Sequence, residues 1–345
     1  MAVPTKTAAN GFTAAARKLY NPLGFSHGYN FAFWLLFAGL WFCFILTRLQ
    51  YLDFYGVYCN PNATPGNGAL PGECWYYLRL PRYKLGIMVH LATILPAGLL
   101  SCLQFIPFIR RKAMVVHRVI GRISVALSVV GTASALMIAR NSFGGGFESQ
   151  TVLGLVAILF LGSLLLAMDS IKRLRIEQHR AWMLRAWFYG GSILTMRLIM
   201  VIAAVTISKK GGYYTAMPCG KIHFIIKEQN IVAQRYPSCA AYFSGANLDQ
   251  HAVVPANISG QDEAQAAAVL NMVAGGALWL ALALHAAGIE IYLNLTSTED
   301  KRPRNVSYQR KVAVGYKQAE PVGLTVDRIP KNYKLLDNDD GSMKG

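Results

Sequence analysis

Acidic residues are scarce in this chain. Its 345 residues include 17 Asp and Glu against 34 Lys and Arg, and no carboxylate lies deep in any long apolar run. Charged residues make up 15% of the sequence, where a soluble domain carries about a quarter. A chain built mainly around a solvated surface is thereby excluded. No glycine-rich nucleotide loop, flavin or nicotinamide fingerprint, or HExxH zinc motif occurs, so no segment reads as a soluble catalytic domain. Cysteine is also sparse, with six in all.

Apolar residues are abundant, at 54%, and the mean hydropathy is +0.32. They fall into six blocks, at about 29–47, 85–106, 119–139, 151–168, 182–207 and 264–289. A run of roughly 20 residues crosses the hydrocarbon layer. The expected fold is therefore an all-α, six-span helical bundle over residues 29–290. Residues 1–28 are expected to form a cytosolic tail and residues 291–345 a disordered cytosolic one. The first block starts too late for a cleavable signal peptide, is rich in Trp and Phe, and lacks a small-residue cleavage site.

The net charge of +17 would suggest nucleic acid in a soluble protein. Its placement explains it better, and no nucleic-acid partner is expected. Lys6, Arg17 and Lys18 precede the first span. Arg110, Arg111, Lys112, Arg118 and Arg122 crowd the second-to-third connection, and Lys172, Arg173, Arg175, Arg180 and Arg185 the fourth-to-fifth. By the positive-inside rule these segments are cytosolic. The long connections 48–84 and 208–263 then lie outside or in a lumen. Cys59 and Cys74 share the first of these, and Cys219 and Cys239 the second. Four thiols confined to outer loops predict two disulfides in an oxidising compartment. Pairing within each loop is simplest, and pairing between loops is equally legal. Asn62-Ala-Thr and Asn257-Ile-Ser are glycosylation acceptors on the same side. A multi-pass protein of a eukaryotic secretory-pathway or plasma membrane is implied, with the lipid bilayer as its first partner. Nothing in the sequence specifies an oligomeric state.

Two phrases raise a functional question: HRVIGR at His117–Arg122 and QHRAWMLR at Gln178–Arg185. Each sets His-Arg and a further Arg at the mouth of an apolar run. From His117 a helical stripe continues through Gly121, Ser124, Ser128, Gly131 and Ala135, all small or hydroxylated. Such a stripe admits either another helix or a flat guest. His179 shares a helix face with Arg197, five turns or about 27 Å further on. An arginine in the outer half of a span needs a partner: backbone carbonyls, hydroxyls such as Ser101 or Thr132, or an anionic ligand. His285, with Glu290 just beyond it, is expected at the same cytosolic level as His117 and His179, and His90 at the outer level. His27, His223 and His251 read as surface histidines.

Three chemistries use these residues. A b-type haem needs two imidazoles from different helices, cations near its propionates and small residues beside the porphyrin. His117 and His179 would supply the ligands, Arg118, Arg122, Arg180 and Arg185 the charge, and the small stripe the room. Alternatively, three histidines (117, 179 and 285) would hold zinc with a water in the fourth position, for hydrolysis of a lipid amide or ester. The third chemistry needs no cofactor. The paired His-Arg phrases clamp an anionic or lipidic small molecule, with imidazole as acid or base, in an enzyme or a carrier. The haem-binding electron-transfer protein is the leading reading. A non-haem membrane enzyme acting on a lipidic or secondary-metabolite substrate is the alternative.

The same two phrases resemble an uncharacterised family of multi-pass membrane proteins found in bacteria and fungi, over about residues 85–290. That resemblance implies the membrane fold and no activity. A looser likeness is to the transmembrane di-haem cytochromes that reduce ferric iron or ascorbate radical, which place histidine pairs on alternate helices of a four-helix core. This chain departs from that pattern, because its fourth span, TVLGLVAILFLGSLLLAMD, holds no mate for His90.

Overall fold

A computed structural model describes residues 17–25, 28–60, 68–296 and 301–314. Six helices within it are long and apolar enough to cross a membrane. They are Gly28–Arg48, Pro81–Gln104, Met114–Ile138, Phe147–Lys172, Ile176–Lys210 and Glu263–Leu295. The observed helices overrun most of the expected blocks because polar ends also adopt helix. Hydropathy marks the lipid-facing middle, whereas hydrogen bonding carries the helix on into the headgroups.

The spans pack in two groups. The third lies along the second, and the fourth, fifth and sixth form a core of their own. Leu278, Val269, Met196 and Val152 fill that core, with Ala274 and Ala281 letting the helices approach closely. The first span is the most peripheral: Leu35, Leu36 and Leu40 are all more than half exposed and face lipid.

The second and third spans meet through small residues. Ser124 Oγ donates to the Ala97 carbonyl at 3.0 Å, and the Gly131 carbonyl accepts from His90 Nδ1 at 2.8 Å. A Cβ at Gly131 would stand 2.8 Å from Thr93 Oγ1 and 3.3 Å from Ile94 Cβ. Val at this position should therefore force the helices apart, at a cost of about 1–3 kcal/mol. The thermal midpoint in detergent would register it, and an unchanged midpoint would show that the pair has slack.

Both outer connections are tied as the simplest pairing expected. Cys59 bonds Cys74 (Cα–Cα 5.6 Å) and Cys219 bonds Cys239 (5.5 Å). The larger connection folds into a cap. Tyr214–Pro218 pairs antiparallel with His251–Pro255, with Tyr214 opposite Pro255 and Pro218 opposite His251. The β-branched run after Pro218 does not form a local hairpin. It coils into a helix, Cys219–Ile226, whose Ile222 and Ile225 turn inward together with Val232 and Val254 onto Ala264 and Ala268 of the sixth span. Burial at helical spacing here outweighs strand propensity. Asn257, one expected glycosylation acceptor, stands at the cap's edge in a turn where its Oδ1 accepts from Ser259 N. Asn62, the other, lies outside the described residues, as does His27.

The segment expected to be a disordered tail starts differently. The sixth span runs on to Leu295, and Lys301–Ala313 forms a further helix. Ser307 Oγ of that helix accepts from the Ile176 amide at 2.8 Å and donates to the Glu177 carboxylate. The first turn of the fifth span leaves amides without intrahelical partners, and Ser307 satisfies one of them.

Candidate functional site

We call the ends that carry the basic connections the inner ends. His117 sits one turn into the third span and His179 one turn into the fifth. His117 lies within electrostatic reach of His179, Arg110 and Arg118. His179 Nδ1 bonds the Ala167 carbonyl of the fourth span at 2.9 Å. A carbonyl only accepts, so Nδ1 carries the hydrogen and the lone pair of the neutral ring is on Nε2. Among the described residues His117 Nδ1, and likewise the side-chain amide nitrogen of the nearby Gln104, is buried with no hydrogen-bond partner. One turn along, Gly121 leaves room for the Gln104 side chain, whose Oε1 lies 3.2 Å from where a Cβ would stand. Sequence reading missed Gln104, and its only signal was an amide at the mouth of an apolar run.

The other expected members disperse. His285 donates from Nδ1 to the Phe188 carbonyl (2.7 Å), and its Nε2 meets Thr195 Oγ1 (2.7 Å). Those partners lie 9 and 16 residues beyond His179, or about 14 and 24 Å along the helix. His285 is thus far from the inner level, and both ring nitrogens are occupied. Among the described residues, no group of three or more His, Cys, Asp or Glu assembles as a metal site. The three-histidine zinc arrangement is not formed. Arg185 is committed elsewhere. Its Nε and Nη2 bond the two carboxylate oxygens of Glu290 at 2.6 and 2.9 Å, and its guanidinium lies 4.6 Å from the centre of the Trp182 ring. It ties the fifth span to the sixth rather than facing a ligand. Arg118 and Arg122 are exposed, whereas Arg180 is partly buried.

The small stripe does not supply the room expected beside a haem. Ser124, Ser128 and Gly131 of the small stripe are buried, and Ser124 and Gly131 are pressed onto the second span by the contacts given above. The stripe therefore receives a helix, and haem binding finds no support in it. His90, bonded to the Gly131 carbonyl, belongs to that same helix contact.

A second polar centre occupies the outer end, where Arg197 is joined by Glu73 and Lys221, which were not expected. Arg197 has neither of the expected hydroxyl partners. Ser101 Oγ bonds the Gly98 carbonyl and Thr132 Oγ1 the Ser128 carbonyl, each within its own helix. Instead its guanidinium lies 4.9 Å from the centre of the Phe143 ring, in the field of Glu73, Tyr58 and Arg48. Glu73 is 5% exposed and its Oε1 accepts from the Phe143 amide at 2.8 Å. Phe143 takes φ of +51°, followed by Gly144 at +81° and Gly145 at +64°. A non-glycine residue in this region is strained, and the strain aims the amide at Glu73. Lys221 of the cap is 2% exposed, its Nζ 5.4 Å from the centre of the Tyr76 ring. Its chain crosses Gly72, where φ is +82° and a Cβ would strike Lys221 Cε at 2.4 Å. Burial pushes the Lys221 amine down to about 8, partly offset by Glu73, and holds the Glu73 carboxyl above its ordinary range.

Comparison with known proteins agrees with this architecture. The chain is 25% identical over 311 residues to "Ava biosynthesis cluster protein G" of Aspergillus versicolor, covering 79% of this chain and 90% of that protein. No solved structure matches. The likeness to di-haem cytochromes finds no support. Residues 87–220, which hold most of the second span, the third to fifth spans and both His-Arg phrases, match the model of an uncharacterised multi-pass family described as "Predicted membrane protein (DUF2306)".

Proposed function

We propose that this protein is a membrane-embedded biosynthetic enzyme that needs no haem, acting at its inner end on a lipid-soluble metabolite with His117 and His179 as an acid–base pair. One observation carries the reading: His117 of one span stands in the field of His179 of another, whose tautomer the Ala167 carbonyl fixes. A fixed Nδ1–H leaves His179 Nε2 as the base. We assign the acid role to His117, whose Nδ1 has no hydrogen-bond partner among the described residues. Arg110 and Arg118 supply positive charge where an oxyanion would develop, and the Gln104 amide supplies a neutral donor. The name of the fungal relative fits a step in a biosynthesis cluster, and the disulfide-tied cap fits the lumenal face of a secretory-pathway membrane.

Positioned acid–base groups contribute about 10²–10⁴-fold to rate. In the native host, His117→Ala and His179→Ala should each remove most of the downstream metabolite and let its precursor accumulate, while the protein stays at normal level in the membrane. His179→Gln, which keeps a donor to Ala167, should do the same. Undiminished product from the His117→Ala/His179→Ala double variant would exclude the proposed roles.

A further inference from the structure

We propose that the outer centre is a binding site, separate from the inner histidines, for one small monoanion of the carboxylate class held by Arg197. The guanidinium carries five N–H donors, yet among the described residues none of them bonds a protein acceptor, and Nε is sealed from solvent. The guanidinium lies over the flat face of Phe143, and among the described residues its fork edge has no hydrogen-bond partner. Arg197 is only part-buried, so that edge is reachable. A charge held within a span at such cost usually serves a ligand or a pathway.

The charge count selects the ligand. Arg197 stands in the fields of both Arg48 and Glu73, and Glu73 is shared with Lys221, so cations outnumber the single carboxylate. Among the described residues Glu73 makes no hydrogen bond to the guanidinium, and its Oε1 accepts from the Phe143 amide. Positive charge is left in excess. A monocarboxylate offsets it and matches the fork with two parallel hydrogen bonds, whereas a phosphate dianion would cost far more to desolvate beside a span. Arg48 stands at the margin with its Nη1 on the Tyr51 hydroxyl at 2.7 Å. It adds a favourable field along the approach without joining the site.

The full-length protein in zwitterionic-lipid nanodiscs provides the test, read by the thermal midpoint of tryptophan fluorescence. Benzoate should raise the midpoint saturably, by about 3–5 °C at roughly ten times its Kd. Benzamide, the uncharged isostere, should leave it unmoved, and inorganic phosphate should act more weakly than benzoate. Arg197→Gln should abolish the shift. Arg197→Lys, which keeps the charge but loses the fork, should weaken benzoate binding about tenfold or more and provides the reading if the glutamine variant does not fold. No saturable shift, an equal shift with benzamide, a stronger response to phosphate, or full binding by either variant would overturn the proposal. None of these outcomes bears on His117 or His179.

Discussion

Replacing Glu73 by leucine should lower the unfolding free energy by about 3–5 kcal/mol, the usual cost of removing one partner from a buried charge group. The side chain is 5% exposed and stands in the fields of Arg197 and Lys221. Leucine would leave two cations facing each other's segments without an anion. It would also strip the Phe143 amide of its acceptor, just where the backbone is strained. Glu73→Gln should fall between wild type and leucine, because it keeps an oxygen for that amide and loses only the charge. Lys221, whose amine burial has already pushed down to about 8, should titrate lower still in either variant. Denaturant titration in detergent measures the loss. A leucine variant as stable as wild type would show that the three groups do not depend on one another.

Serine at both Cys219 and Cys239 should cost about 3 kcal/mol. The bridge closes a separation of 20 residues, and loop-closure entropy of the unfolded chain gives that magnitude. The effect should localise. The cap core of Met217, Ile222, Val232 and Val254 rests on the first turns of the sixth span, so amide exchange should rise there first. The inner ends should keep their protection. Loss of protection spread evenly over all six spans would mean that cap and bundle unfold as one unit.

Much of this architecture is legible in the sequence, for identifiable reasons. Hydropathy is a sum over some twenty residues, so the six spans stand out even where single positions are ambiguous. Four cysteines in two loops leave few pairings, and the simplest is the one formed. Depth is harder to read. His285 looked cytosolic because its apolar block stops near residue 289, but the helix continues to Leu295 and lifts the ring well into the bundle. The stripe from Gly121 to Ala135 has the same composition whether it meets a helix or a guest. Only packing decides, and the second span takes the place. Glu73 and Lys221 escaped notice because they sit in segments that read as outer loops. Hydropathy does not say that a loop folds back over a span and buries its charges. Lys301–Ala313 is polar almost throughout, and it docks on the fifth span through contacts that include Ser307, a pairing 131 residues apart in sequence.

The fifth span, Ile176–Lys210, has 35 residues. At about 1.5 Å per residue it measures roughly 52 Å, well beyond the ~30 Å hydrocarbon layer. It carries His179 close to one tip and Arg197 toward the other. A continuous rod cannot be tilted or drawn lengthwise at one tip while the other stands still. Occupation of either polar centre should thus be felt on the far side of the bilayer through a single stiff lever.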